Sequence, residues 1–169
     1  MINFYRKIVT LAVLVLISTA FIFSNSLKNK EESKEDSDVI VKVVEDVAEK
    51  IYPENQLDWN YIVRKSAHLF EFFVLGSFTM LFTLSFGQKC RKPILYAFIY
   101  VILIACTDET IQYFTERGAC FTDVMIDISG AAIGIGALLI LNVLKNRYFA
   151  KKTKTGGMGE ENHDSIRSV

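Results

Sequence analysis

Residues 93–114 read PILYAFIYVILIACTDETIQYF, an apolar run with no charged side chain before Asp108. This length matches a helix that crosses the hydrocarbon core of a bilayer, which needs about 20 residues. Pro93 stands at the start of the run, where its missing N–H costs a helix nothing. The stretch therefore predicts a transmembrane helix whose charged residues are confined to its C-terminal end.

Three more apolar runs have this character, at about residues 8–24, 61–86 and 123–144. Together they predict an all-α protein, a four-helix transmembrane bundle within a membrane domain over residues 1–152. Residues 153–169 carry glycines and mixed charges, and they predict a disordered cytoplasmic tail. Basic residues precede the first run, as in a secretory signal, so cleavage of that helix stays open as an alternative.

The composition narrows the class of protein. Lys and Arg number 19 and Asp and Glu number 19, and 51% of the residues are hydrophobic. Zero net charge gives no reason to expect nucleic-acid binding, and the long uncharged runs argue against a soluble enzyme. The three cysteines show no Cys-x-x-Cys spacing, which indicates neither a disulfide framework nor a structural zinc site.

Basic residues near the ends of the spans predict the orientation. Arg6 and Lys7 precede the first span, residues 88–92 contribute three basic side chains, and residues 145–154 contribute five. With four spans, all of these fall on one side, whereas residues 24–60 are rich in acids. We expect a multi-pass protein of the cell membrane with both termini in the cytoplasm.

The predicted outer loop between the first two spans has a pattern of its own. From Glu35 to Ile51, apolar residues recur at helical spacing opposite charged ones. This pattern predicts an extracellular amphipathic helix that lies on the bundle or at the lipid headgroups. Its acidic polar face argues against strong adsorption to anionic lipid.

The polar residues inside the spans are confined to one end of three helices. The topology brings the start of the second span, the end of the third and the start of the fourth together on the outer side. Intramembrane polar residues usually face a bundle interior and mark function, which makes this group a candidate ligand-binding pocket. Its members are Arg64, Lys65, His68, Glu71, Asp108, Glu109, Gln112, Arg117, Asp123 and Asp127.

Several roles stay open for this group. The charges could form an ion-pair network that only fixes helix order, although five acids exceed three certain cations. His68 and Glu71, with Asp108 and Glu109, are candidates for general acid–base catalysis. Asp123 and Asp127 could bind magnesium or calcium with Glu109, but no ligand-loop spacing supports a metal, so neither a metal nor another cofactor is expected. Gly130 and Gly134 are predicted to pack against a neighbouring helix.

The spacing of these residues resembles the VanZ-like family of bacterial membrane proteins, over about residues 13–144. The matching motifs are Arg64-Lys65-x-x-His68-x-x-Glu71-Phe72, Asp108-Glu109-x-x-Gln112-x-Phe114, and Arg117 followed by Asp123-x-x-x-Asp127-x-x-Gly130-x-x-x-Gly134, with Phe23-Ser24-Asn25-Ser26 at the exit of the first span. Two positions depart from the family pattern: Thr115-Glu116 stands where Pro-Gly is frequent, and Asp127 stands where relatives often have Asn.

The resemblance implies a cell-envelope protein that lowers sensitivity to teicoplanin-type lipoglycopeptides without remodelling the D-Ala-D-Ala target. We expect the outward pocket to engage a membrane lipid, a lipid-linked cell-wall precursor or the antibiotic itself. The alternative is an intramembrane hydrolase or transferase acting on a lipid-linked phosphate, with Arg64 and Arg117 holding the phosphate. The absence of a recognised nucleophile motif favours binding over catalysis.

Overall fold

A computed structural model describes residues 2–28, 31–32, 38, 40–45, 58–116 and 120–164 of the chain. Within these ranges the regular structure is helical, with no β-strand. Four long helices follow one another: α1 Ile2–Ser26, α2 Trp59–Ser85, α3 Pro93–Phe114 and α4 Phe121–Asp164, with a short 3₁₀ turn at Gly87–Lys89. All four have the length and apolar composition of membrane spans, and the candidate span of α4 is Phe121–Tyr148. The all-α prediction with four spans is confirmed.

The ends of the helices follow local signals. Asp58 caps α2 by accepting a hydrogen bond from the backbone N–H of Tyr61 at 3.1 Å, a favoured arrangement at a helix start. Pro93 opens α3. After α2, Gly87 takes the left-handed backbone conformation that glycine tolerates best, and after α3 Glu116 takes the same conformation, each with φ of 57°. Chain reversal after α3 therefore places a residue with a side chain where glycine is preferred.

The observed helix bounds agree with the predicted spans to within two residues, except at the N-terminal end of α1 and the C-terminal end of α4. Helix α1 begins at Ile2 because Arg6 and Lys7 continue the helix ahead of the apolar run. Helix α4 continues to Asp164, across the first part of the segment for which the sequence predicts disorder. Side chains of α4 are described as far as Tyr148.

The predicted amphipathic segment is described only in part. Residues 40–45 are helical, as are residues 31–32 and 38, and Val41 is buried. Residues 33–37, 39 and 46–57 lie outside the described residues, as do residues 117–119 and with them Arg117. An extracellular helix from Glu35 to Ile51 stays a prediction.

The chain divides into two compact units, Met1–Ile135 and Gly136–Val169. The second unit is the continuation of α4. The first unit holds α1, α2, α3 and the beginning of α4 around one apolar core. Its fully packed members are Val15, Ile22, Phe72, Leu75, Val101, Ala105 and Ala131.

Small residues bring α2 and the first turns of α4 into close contact. A Cβ atom added to Gly130 would collide with the backbone oxygen of Leu69, and one added to Gly134 would collide with that of Phe73. From the other side, a Cβ at Gly76 would lie 2.6 Å from the backbone oxygen of Ala131. Such contacts let two helix backbones approach closely inside a membrane. They set the distance between the polar residues of α2 and α4.

Large apolar side chains cover the exterior of the helices. The exposed members include Val13, Leu16 and Ile17 on α1, Leu69 and Phe70 on α2, Ile99, Ile102 and Leu103 on α3, and Ile133, Ile140 and Leu141 on α4. A soluble monomer rarely exposes so many large apolar side chains. The four helices are therefore compatible with a multi-pass membrane protein whose outside faces lipid.

Candidate functional site

Polar side chains gather at the end of the first unit where α1 and α3 finish and α2 and α4 begin. All four helices contribute residues, and most of these side chains are buried. The buried polar residues at this end are Ser26, His68, Asp108, Glu109, Gln112, Asp123 and Asp127. Such a concentration of ionisable groups is costly in an apolar setting unless each finds a partner or a ligand.

Asp108 on α3 is the most thoroughly bonded member of this polar cluster. Its carboxylate is fully buried; Oδ1 accepts a hydrogen bond from the hydroxyl of Ser26 on α1, and Oδ2 accepts one from Nε2 of Gln112 at 2.7 Å. Gln112 lies one turn further along the same helix, where side chains four residues apart meet. Two donors therefore fix both the orientation and the position of this carboxylate.

His68 on α2 faces two carboxylates. Its Nδ1 lies 3.7 Å from Oδ1 of Asp127 on α4 and 4.0 Å from Oδ2 of Asp108 on α3. Asp127 is 1% exposed, and neither of its oxygens has a hydrogen-bond partner in the part of the chain that the structure describes. Buried polar atoms without partners are rare in folded proteins, so Asp127 marks a place where a further group belongs.

Lys65 and Asp123 form a direct ion pair between the first turns of α2 and α4. Their side chains are 13% and 8% exposed. The ammonium group thereby neutralises one of the two acids that α4 contributes to the cluster and leaves the other, Asp127, to face His68. The ring of Tyr61 lies 5.2 Å from the Lys65 nitrogen and adds a cation–π contact.

Two further carboxylates of the cluster are held by neutral donors. Oε1 of Glu71 accepts a hydrogen bond from Nδ2 of Asn25 at 2.8 Å, which ties α2 to the end of α1. Oε1 of Glu109 accepts one from the backbone N–H of Cys120 at 2.7 Å, whereas its Oε2 has no partner among the described residues. These two hydrogen bonds fix the position of one oxygen of each carboxylate.

Cys120 lies just before α4, outside the apolar spans, and is exposed. Hydrogen bonds from the Thr122 hydroxyl and then from the Thr122 backbone N–H lower the pKa of the Cys120 thiol, because they stabilise the thiolate. A thiol of this kind is more nucleophilic near neutral pH than an ordinary one.

Most of the residues that the sequence singles out do come together. The cluster contains Lys65, His68, Glu71, Asp108, Glu109, Gln112, Asp123 and Asp127. Arg64 makes no hydrogen bond or ion pair to any residue that the structure describes, and Arg117 lies outside the described residues. The sequence reasoning missed Asn25 and Ser26 as members of the site, and the run Ser24-Asn25-Ser26 at the end of the first apolar stretch was the available signal.

This chemistry suits ligands that donate hydrogen bonds or carry positive charge. The cluster holds five carboxylates, and Lys65 is ion-paired to one of them, Asp123. His68, Asp108 and Asp127 each offer one donor atom, and these atoms lie within 4.8 Å of one another, at a spacing compatible with a shared metal ion. Of the three residues considered from sequence as metal ligands, Asp123 is instead bound by Lys65 and Glu109 by the Cys120 backbone, and Asp127 alone belongs to this group.

Comparison with known proteins agrees with the motifs at this site. No curated protein and no solved structure matches the chain significantly. The family model for VanZ/LLP1 matches residues 8–142, which cover α2 and α3 in full, most of the other two candidate spans, and every member of the polar cluster. The chain therefore belongs to the VanZ/LLP1 family.

Proposed function

We propose that this VanZ-family protein binds the polar group of a membrane-anchored ligand in its polar cluster, on the outer side of the cell membrane. The ligand would be a membrane lipid, a lipid-linked cell-wall precursor or a lipoglycopeptide. Binding there would lower sensitivity to teicoplanin-type lipoglycopeptides, which insert an acyl chain into the same leaflet. The observation that carries the proposal is the convergence of buried acids from α3 and α4 with the buried His68 of α2 at one end of the first unit.

The acceptors left open in this cluster define the ligand chemistry. Oε2 of Glu109 and both oxygens of Asp127 are buried without partners among the described residues. An ammonium or hydroxyl group entering the cluster would donate to these oxygens and remove the cost of burying them unpaired. Amines occur in lipid headgroups, in the peptide stems of wall precursors and in glycopeptides, so the shared chemistry is that of a hydrogen-bond donor with positive charge.

The distribution of basic residues supports an outward-facing cluster. Arg91 and Lys92 lie between α2 and α3, and Arg6 and Lys7 lie near the start of α1, which is the end of these helices opposite the cluster. Cytoplasmic loops carry the excess of Lys and Arg in membrane proteins. A cluster on the opposite side would meet ligands of the outer leaflet, where lipoglycopeptides act.

Drug susceptibility in a sensitive Gram-positive host tests this function. Cells carrying an empty vector, the wild-type protein or Glu109→Gln are compared for teicoplanin and vancomycin, with membrane levels measured for each protein. Wild type should lower sensitivity to teicoplanin selectively, and Glu109→Gln should abolish the effect because the carboxylate charge is lost at unchanged size. Glu116→Gln removes an exposed acid outside the cluster and should behave as wild type.

Two results would overturn the proposal. One is an unchanged response to both drugs with wild-type protein present in the membrane. The other is full protection by Glu109→Gln, because the cluster would then be dispensable for the effect.

A second candidate is an intramembrane hydrolase or transferase acting on a lipid-linked phosphate. The separation of 3.7 Å between His68 Nδ1 and Asp127 Oδ1 favours it, since a histidine beside a carboxylate is a common general base. Lipid profiles of cells with and without the protein test this alternative. A lipid species that accumulates on deletion and is consumed on expression of wild type, but not of His68→Gln, would support it, and identical profiles would exclude it.

A further inference from the structure

We propose that His68, Asp108 and Asp127 form a binding site for one divalent metal ion of the Mn²⁺ or Zn²⁺ type. The site lies in the polar cluster but goes beyond the function proposed above. It rests on the geometry of three side chains from three different helices, α2, α3 and α4. Metal binding is measured without lipid or drug, so its result tests this proposal independently of the proposed function.

The distances between the donor atoms fit a common ion. Ligand atoms bound at about 2.0–2.2 Å from one ion are separated from each other by roughly 3 to 4 Å. His68 Nδ1 lies 3.7 Å from Asp127 Oδ1 and 4.0 Å from Asp108 Oδ2. All three donor atoms lie within 4.8 Å of one another. Closing the longest of these separations to about 4 Å needs a shift of less than about 1 Å, which the rotatable Asp127 side chain can supply.

Asp127 supplies the independent observation that a ligand belongs here. Its carboxylate is 1% exposed, and both oxygens lack a hydrogen-bond partner within the described ranges. Lys65, which could have compensated it, is committed to Asp123 one turn earlier on α4. A divalent metal ion would balance the charges of Asp108 and Asp127 together. An ion-pair network without a metal would instead need a positively charged side chain at this position.

The surroundings of Asp108 resemble those of a metal-binding carboxylate. Ser26 and Gln112 donate to its two oxygens and hold it in one orientation. Such outer hydrogen bonds orient metal ligands, and their loss weakens metal affinity by about 10–100-fold. This accounts for the hydrogen bond from Ser26 across two helices, which the binding of a headgroup alone would not require.

The donor set indicates the class of metal. One imidazole and two carboxylates suit Mn²⁺ and Zn²⁺, while calcium and magnesium prefer oxygen ligands only. Three protein ligands also leave coordination positions open for a further group, as in metal sites that bind substrates. A bound ion would occupy the acceptors of Asp127 and would leave Oε2 of Glu109 open to the donor group of the ligand proposed above.

The test is metal titration of the full-length protein, purified in detergent and stripped with a chelator. Mn²⁺ is the first probe because thiols, of which the chain has three, compete poorly for it. One Mn²⁺ per chain should bind, and pulsed electron paramagnetic resonance should show coupling to one imidazole nitrogen. Zn²⁺ should displace the bound Mn²⁺ with the same stoichiometry.

Variants identify the ligands. Asp127→Asn and His68→Gln should each weaken Mn²⁺ binding by about 100-fold or more, beyond the effect of an outer contact, and Gln112→Ala should weaken it about 10-fold. Glu116→Gln, which removes an acid at the nearby turn, should bind as wild type. If the His68→Gln or Asp127→Asn protein fails to fold, as judged by size-exclusion chromatography, the coupling of Mn²⁺ to an imidazole nitrogen in the wild-type protein is the test of the proposal. Absence of that coupling, absence of Mn²⁺ binding, or equal affinity in Asp127→Asn and Glu116→Gln would overturn the proposal.

Discussion

The hydroxyl of Ser26, the last residue of α1, donates a hydrogen bond to the buried carboxylate of Asp108 near the end of α3. The two residues are 82 positions apart in the chain. Thr115 reinforces this connection, since its hydroxyl donates to the backbone oxygen of Ser26 at 3.2 Å. The first helix is thereby anchored to the polar cluster by hydrogen bonds as well as by its apolar face.

Replacing Ser26 with alanine should destabilise the protein measurably. The Asp108 oxygen that Ser26 bonds would remain buried without this donor, which costs about 1–3 kcal/mol. Ser18→Ala is the matched control, because that hydroxyl only bonds the backbone oxygen of Leu14 in its own helix, and its loss should cost a few tenths of a kcal/mol at most. Unfolding by denaturant in mixed micelles measures both; equal losses of stability would contradict the role given to Ser26.

Substitution of Gly130 by alanine should disturb the packing of α2 against α4. The added methyl group would meet the backbone oxygen of Leu69, which cannot move aside as a side chain could, so a cost of about 1–3 kcal/mol is expected. Gly136 has open space around its Cα, so Gly136→Ala should leave stability unchanged or raise it slightly through better helix propensity. Thermal unfolding of the two variants in detergent compares them, and similar melting temperatures would refute close packing at Gly130.

Glu116→Gly should stabilise the protein by about 1 kcal/mol. Glu116 has a φ of 57°, a conformation that costs a residue with a Cβ atom about 1–2 kcal/mol and costs glycine little. Part of this gain is offset because glycine also increases the entropy of the unfolded chain. Glu116→Ala keeps the Cβ atom while removing the charge, and should give no such gain. A stabilisation of the same size in both variants would assign the effect to charge and not to backbone conformation.

The pH dependence of alkylation should single out Cys120. Hydrogen bonds from Thr122 lower its pKa, so at any pH below the ordinary thiol pKa a larger fraction of Cys120 is thiolate. In a protein with Cys90 and Cys106 replaced by alanine, the rate of reaction with iodoacetamide should therefore rise at a lower pH than for free cysteine. Thr122→Val removes the hydroxyl donor and should move the profile to higher pH. An unchanged profile in Thr122→Val would show that the hydroxyl does not control the thiol.

Labelling of single-cysteine proteins in intact cells tests the orientation. Cys120 is exposed before α4, and Cys90 lies between α2 and α3, at the opposite ends of the helices. With both termini in the cytoplasm, a membrane-impermeant maleimide should label Cys120 in intact cells and Cys90 only after lysis. The reverse pattern would place the polar cluster on the cytoplasmic side and would remove the basis of the proposed drug phenotype.

The sequence by itself determined the helices and the end of the bundle at which the polar residues gather. Apolar length and the positions of charges along a helix are local properties, which explains why the bounds of α3 agree with the prediction from residues 93–114. The spacing of Asp123 and Asp127 likewise places both on one helix face, and both are buried.

Only the tertiary structure decided which partner each polar residue has. Lys65 meets Asp123 across 58 positions of the chain, and His68 meets Asp127, because the glycines of α4 set its distance and rotation relative to α2. Packing of α1 against α3 brings Ser26 to Asp108, a pairing that the polar run Ser24-Asn25-Ser26 and the acid at Asp108 do not specify by themselves. Pairing between helices depends on their mutual depth and rotation, and these follow from side-chain packing over the whole first unit and not from periodicity within one helix.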